Sequence, residues 1–432
     1  MVIKGKGDYK MSLQSPNEKQ ENQKSNKFTD FANKTKSKWG TLSKNQKIIT
    51  SVVAAVVVII AGAVIYQGIS GNSITSVVSG SNLDVEVNSA EVIIPYDNDD
   101  SSTYVAYNIT LENKGNKTIN FADIQLIGDD GESIASEYIY DTSEKFTVLN
   151  VLSSGIRKGK KRTGYLVYKV DPDKSKDYSL EVEYYAQDDN YENETQETSV
   201  SLEKVDVTDN RDKIIKLVES YVNQVFLASK STTISSSSAV AFNPTTDQPQ
   251  VTTLAKKSDK KSDELTLGND IDKDKNSYIE RFETKVSALF DYYTPSESEL
   301  DSFVNQYMEA NAKRAQISVK VKELYPTTAK VTVSSKVIDI SNIDTYDLVR
   351  SYLEEATGKS YSSDEAIMQD AEKYIFDGLP NYFGTTSLTT NTSEDDISLA
   401  LEDDKWSVDS SDSEKNYGYD SLQRSMAGDF FY

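Results

Sequence analysis

Residues 104–134 read YVAYNITLENKGNKTINFADIQLIGDDGESI, and the alternation in this stretch decides the fold of the first half of the chain. Val105, Tyr107, Ile109 and Leu111 fall at every second position, the period of a strand that buries one face. Asn113, Lys114, Gly115 and Asn116 then make a turn, residues 121–127 a second strand, and Asp129, Asp130 and Gly131 a further turn. Asn, Asp and Gly accept the backbone conformations that reverse a chain. Outward from this stretch, residues 83–94 alternate before it, and residues 146–152, 163–170, 178–185 and 199–205 read as strands after it. About seven short strands with no helix between them predict a β-sandwich over residues 83–206.

The period changes at Asp209. Ile214, Val218, Val222 and Val225 recur at helical spacing behind an Asp/Asn cap. Residues 229–268, rich in Ser, Thr, Lys and Asp, read as a disordered loop. Helical spacing resumes with Tyr278, Phe282, Val286, Leu289 and Tyr293, and Ser296 with Glu299 has the spacing of a capping box for a helix carrying Leu300, Phe303, Val304 and Tyr307. Two strands (316–324, 329–340), two helices (344–356, 363–377) and a hairpin (398–401 and 405–408, turning at 402–404) complete an α+β domain over residues 207–409. Residues 410–432 are acidic and Ser-rich, and are expected to form a loose tail.

On the N-terminal side, residues 67–82 are rich in Gly, Ser, Asn and Thr and read as a stalk. Before them, residues 48–66 (IITSVVAAVVVIIAGAVIY) carry no charge. As a helix they would reach about 28 Å, close to the hydrocarbon thickness of a bilayer. The first 47 residues hold 11 Lys against Asp8, Glu18, Glu21 and Asp30, a net +7. The positive-inside rule then puts this basic arm in the cytoplasm and everything from Leu83 onward outside. Ala61, Gly62 and Ala63 have the small side chains of a signal-peptide cleavage site, but they lie inside the apolar run, so the expectation is a retained anchor. Within the arm, Phe28, Phe31, Trp39 and Leu42 would share one helix face, which leaves open a surface helix on the inner leaflet or an unstructured basic segment.

The sequence has no Cys and no His, which removes disulfides, a lipidated Cys, Ser-His-Asp and Cys-His machinery and most zinc sites. The chain's −22 less the arm's +7 leaves −29 for the part outside, so nucleic acid is not an expected partner. No cofactor is expected.

Residues 104–134, with TGYLVYKV from Thr163, resemble the immunoglobulin-like domain of unknown function common in Gram-positive surface lipoproteins, in which a strand and turn like Asn113–Lys117 precede a Gly at 131 and another at 164. The remainder from Asp209 resembles the C-terminal domain that accompanies it and is similar to the cone-shaped nuclear-transport-factor-two-like fold, on element order and on AKVTVSSKVIDIS (329–341) and LALEDDKWSVD (399–409). Neither resemblance implies a catalytic residue set. Relatives with a lipidated Cys or a Cys-rich ribbon differ from this chain, which leaves the apolar span as its evident anchor.

Three groups of residues are candidate sites. Asp272, Asp274, Asn276 and Glu283 occupy positions 1, 3, 5 and 12 of a calcium-loop spacing, with Tyr278 and Glu280 at 7 and 9; Ser277 stands where Gly makes the sharp turn, so a solvated linker entering a helix is the preferred reading. Asp339 shares the face of Val331, Val333 and Val337, either as an interior acid or as a cap just past the sheet. Arg157, Lys158, Lys160, Lys161 and Arg162 crowd one turn of an acidic exterior, either as a solvated hairpin or as a patch for an anionic cell-wall polymer or phospholipid headgroups. Together these readings predict a non-enzymatic, membrane-anchored protein of the Gram-positive envelope that binds an envelope component or another envelope protein. The alternatives are a sensor or immunity protein that signals to the arm, and an enzyme that uses the cone pocket.

Overall fold

Eleven residues from Leu83 to Ile93 form a strand whose side chains alternate until the register slips between Val87 and Ser89. The computed structural model describes residues 76–79, 82–96, 102–128, 130–139, 146–149, 155–187, 193–227, 265–411 and 416–428. In chain order the strands of the first half are β1 (Ser76–Ser79), β2 (Leu83–Ile93), β3 (Tyr104–Asn113), β4 (Thr118–Gly128), β5 (Ser133–Ala135), β6 (Lys161–Lys169), β7 (Tyr178–Gln187), β8 (Asn193–Ser201) and β9 (Val207–Thr208). One sheet has the order β1-β2-β3-β6, with β9 pairing parallel to β2; the other has the order β5-β4-β7-β8.

The two sheets bury a common core. Val85, Val105, Tyr107, Ile109 and Tyr168 come from the first and Ile119, Phe121, Leu126, Val182 and Tyr184 from the second. The Tyr107 and Tyr168 rings meet edge to face at 5.9 Å. Tyr168 donates to the Ile124 carbonyl oxygen at 3.4 Å, which gives a buried hydroxyl its acceptor.

The second half contains helices α1 (Arg211–Val222), α2 (Ile271–Ser287), α3 (Glu297–Arg314), α4 (Tyr346–Ala356), α5 (Asp364–Gly378) and α6 (Tyr417–Met426). Its antiparallel sheet runs β10 (Gln316–Leu324), β11 (Thr328–Lys336), β12 (Ser393–Glu402) and β13 (Lys405–Val408), in that order. Alternation along β11 puts Val331 and Val333 in one core with Val218 of α1, Phe282 of α2, Tyr307 of α3 and Leu422 of α6. The capping box at the start of α3 is complete: the Glu299 carboxyl accepts from the Ser296 amide at 2.8 Å and from its hydroxyl at 2.6 Å.

The two halves meet at a defined joint. Ile94 and Leu324 exchange both backbone hydrogen bonds at 2.9 Å, an antiparallel bridge from the end of β2 to the end of β10. Next to it the Tyr325 ring, 3% exposed, packs at 5.3 Å against Phe146, which stacks on Tyr165 at 4.8 Å. Ile93, Ala106, Ile139 and Val167 complete this small apolar cluster on the outer face of the first sheet. Residues 73–432 form one compact unit.

Four sequence expectations need correction. The end of the expected stalk is a strand, because β1 pairs with β2 from Ser76↔Val87 to Ser79↔Asp84. Residues 146–149 are not a regular strand; Val148 makes one isolated bridge to Tyr165, while Phe146 and Leu149 fill two different clusters. The end of the expected loop 229–268 joins the second-half sheet through a parallel bridge between Leu267 and Trp406, while residues 228–264 lie outside the described residues. The expected loose tail contains α6, whose Tyr419, Leu422 and Met426 recur at helical spacing and are buried in the core. Residues 48–66 lie outside the described residues, and among the described residues no helix is long and apolar enough to cross a membrane.

The joint makes two outcomes measurable. Tyr325→Ala removes a buried aromatic anchor, a loss worth about 3 kcal/mol. Calorimetry of the variant should resolve separate melting of the two halves, and a single unchanged transition would show that the ring does not couple them. Glu91 lies on β2 opposite Ala106 and Thr208, half-buried beside this cluster. Burial pushes its carboxyl up from 4.5 to about 7, with the Ser89 hydroxyl at 3.5 Å opposing the rise. A raised carboxyl favours the fold below about pH 4.5 and loses that advantage as pH climbs through 7. Stability measured by denaturant should therefore fall over that window in the wild type, and less so in Glu91→Gln.

Candidate functional site

Asn113, with no solvent exposure, organises one end of the first-half sheets. Its side-chain amide donates to the Lys117 carbonyl oxygen at 2.8 Å and to that of Ile156 at 2.7 Å. Its backbone nitrogen donates to the Lys160 carbonyl oxygen at 3.0 Å, and its own carbonyl accepts from the Gly159 amide at 2.9 Å. A turn at residues 113–117 is thereby bound edge to edge to a turn at residues 156–160. Gly159 takes φ +65°, a left-handed conformation that costs a glycine least.

The pairing gathers charges that the sequence keeps apart. Arg157, Lys158 and Lys160 are exposed on the second turn, with Lys161 and Arg162 opening β6 behind them. Lys114 and Lys117 join them from the first turn, which makes seven cations at one end. Glu112 lies between the groups and accepts from Lys114 at 2.8 Å and Lys161 at 2.7 Å; Asp84 is 3.7 Å from Lys114. Hydrogen bonds from Lys114 and then Lys161 hold the Glu112 carboxyl below its usual range. Among the described residues, Arg157, Lys158 and Lys160 have no carboxylate partner, so their charge is available to an anionic ligand. Sequence reasoning found the five-residue run and missed Lys114 and Lys117, since the turn hydrogen bonds that bring them in leave no trace in composition.

The calcium-loop spacing is met by a helix and not by a loop, since α2 runs unbroken from Ile271 to Ser287. The Asp270 side chain caps it by accepting from the Lys273 amide at 3.1 Å, and the acids Asp272 and Asp274 in the first turn favour the helix N-terminus. At about 100° per residue Asp272 and Asn276 share one face while Asp274 lies about 160° away on the opposite one, so the three cannot wrap a single ion. Asp272 and Asn276 face solvent. Asp274 is buried and accepts from Tyr221 at 2.9 Å, Asn269 at 2.9 Å and Ser410 at 2.8 Å. Glu283 lies near the far end of the same helix. Among the described residues no group of three or more carboxylates is arranged to hold a metal.

Asp339 takes the capping role. It accepts from the Ser341 amide at 3.0 Å, the Ser341 hydroxyl at 2.5 Å and the Asn342 side chain at 2.7 Å, starting the short helix Ile340–Asn342.

Two domain-family models match the chain: Domain of unknown function (DUF4352) over residues 74–194 and Domain of unknown function (DUF5105) over residues 229–422. Among solved structures, a candidate lipoprotein of Bacillus subtilis subsp. subtilis str. 168, ycdA, is 18% identical with a TM-score of 0.49; the match covers 82% of this chain and 98% of that one. The yjhA protein of Bacillus subtilis is 22% identical over 24% of this chain and 76% of its own, with a TM-score of 0.19. A candidate lipoprotein of Staphylococcus aureus subsp. aureus NCTC 8325 is 13% identical over 31% of this chain and 98% of its own, with a TM-score of 0.21. No curated protein matches the sequence. The chain is thus a multi-domain protein with a sheet-rich region followed by an α+β region, each overlapping a domain-family match.

Proposed function

We propose that this is a non-enzymatic protein of the Gram-positive cell envelope, anchored by residues 48–66 with its N-terminal arm in the cytoplasm, and that the basic end of its first-half sheets holds an anionic wall polymer. The observation that carries this reading is the meeting of seven cations, from two separate turns and the start of β6, on a region whose net charge is −29. Long-range electrostatics repel a polyanion from such a region, so attraction must be local; screening over about 8 Å at physiological salt lets a compact cluster act despite distant acids.

On this reading the paired sheets are an immunoglobulin-like module and the second half a cone-like one, an assignment supported by helices packed with one face of a four-stranded antiparallel sheet. The absence of His and Cys from the sequence and the capping role of Asp339 support a binding role over catalysis.

Residues 73–432 should bind polyanionic wall polymer weakly, with affinity that falls as salt rises. Changing Lys158, Lys160 and Lys161 to Ser should remove the binding and leave the melting temperature within a few degrees, since exposed substitutions shift stability by about 0.5 kcal/mol or less. Binding absent at low salt, or unaffected by the triple change, would make the cluster an ordinary solvated turn.

Glu112 gives an independent check of the same site. Its lowered carboxyl keeps its ion pairs above the usual value of 4.5 and gives them up as pH falls further. Glu112→Gln frees Lys161 and leaves Lys114 with Asp84 alone, at all pH values. The variant should bind polyanion more tightly than wild type at pH 7, and the difference should shrink in acid.

A further inference from the structure

The helix pair α4–α5 leaves part of its apolar surface exposed. Leu348 and Tyr352 are the buried side chains of α4, and Phe376 is that of α5. On the rest of α4, Tyr346 is 69% exposed, Val349 40% and Leu353 61%; at the start of α5, Ile367 is 38% and Met368 45% exposed. Tyr346, Val349 and Leu353 fall within about 60° of one another on the helix, so they form a stripe distinct from the one that faces the core. The Tyr352 hydroxyl donates to the Ile367 carbonyl oxygen at 3.1 Å, which holds the beginning of α5 against α4. Single exposed apolar residues are ordinary; five on two adjoining helices call for a partner.

The charge around this ridge selects the partner. Lys359 is occupied by Glu355 at 3.2 Å and Asp370 at 3.4 Å, and Arg350 lies 3.8 Å from Asp347. Among the described residues Glu354, Asp364 and Glu365 have no cationic partner, and all three are exposed on these two helices. An anionic bilayer would be repelled by this rim, and a second copy would set acid against acid. An apolar surface whose unpaired charges, Glu354, Asp364 and Glu365, are all acidic is complementary to a helix whose apolar face is flanked by Lys or Arg. We propose that α4–α5 is a docking surface for a basic amphipathic helix of another protein.

The absence of Cys from the chain makes the test direct, since Val349→Cys gives a unique labelling site. The full chain, held in phosphatidylcholine nanodiscs and labelled there with bimane, is titrated with an amphipathic Leu/Lys peptide of about 18 residues, above the length at which isolated helices are marginal. The fluorescence should shift to the blue and saturate. Adding Leu353→Ser and Met368→Ser should weaken binding by about tenfold or more, as loss of central apolar anchors does, with the melting temperature unchanged because both side chains are exposed. Changing Lys158, Lys160 and Lys161 to Ser should leave this binding as it is, which separates the ridge from the basic end. The proposal is overturned if a scrambled peptide of the same composition shifts the label equally, or if the double change has no effect. It is also overturned if phosphatidylglycerol vesicles alone give the shift, or if the protein doubles its mass with concentration in the absence of peptide.

Discussion

The backbone exchange between Ile94 and Leu324, sealed by the Tyr325 ring, is the contact on which the arrangement of the two halves depends. Inter-domain contacts within a chain are usually polar and loose, and relative motion is then the default. Here the last residues of β2 add to the edge of the second-half sheet, so the strand that organises the first core also fixes the position of the second. A slip at this bridge would break both hydrogen bonds and draw the Tyr325 ring away from Phe146. Phe146 makes the joint reciprocal: it is supplied by the first half, stacks on Tyr165 of β6 and receives Tyr325 of the second.

The joint also sets where surface features lie along β2. The basic end lies at the Leu83 side of β2, where Leu83 pairs with Asn113, and the joint lies at its Ile93 side. The seven cations and the second half are therefore at opposite ends of the same strand, roughly 30 Å apart for a strand of this length. That is several screening lengths at physiological salt, so the acids of α4–α5 barely weaken the field at the basic end. One chain can in this way present an anion-attracting surface and an acid-rimmed apolar surface without mutual cancellation.

How much of this was legible in the sequence follows from what each element needed. Strands β2, β3, β4, β6 and β7 were readable because each sends one face into the sandwich core, and Val105, Tyr107, Ile109 and Leu111 print that face at every second position. Residues 146–149 were misread because Phe146 and Leu149 do not share a face; each plugs a different cluster, and no period describes that. β1 is too short to show a period among Ser and Asn. In α6 the pattern of Tyr419, Leu422 and Met426 was present, but an acidic and Ser-rich context outweighed it. At the basic end the run from Arg157 to Arg162 stood out as composition, whereas Lys114 and Lys117 enter through the side chain of Asn113, a long-range hydrogen bond that only the fold reveals.

Asp274 shows why a motif's spacing and its chemistry can part. The same position that would offer an oxygen to calcium in a loop is turned inward by the helix that Asp270 caps, and burial of a carboxyl group is costly unless its oxygens find donors. Three neutral donors meet that need: Ser410 just after β13, Asn269 just before α2, and Tyr221 of α1. Tyr221 and Tyr419 lie 2.7 Å apart, and since Tyr221 gives its proton to Asp274, Tyr419 must give its own to Tyr221. The donor chain runs from α6 through α1 to α2, while Asn269 also grips both backbone groups of Val408 at the end of β13, accepting from its amide at 2.8 Å and donating to its carbonyl oxygen at 2.9 Å. A single buried carboxyl group thus ties the first helix, the last strand and the last helix of the second half, which is why the segment that composition alone reads as a loose tail closes the core.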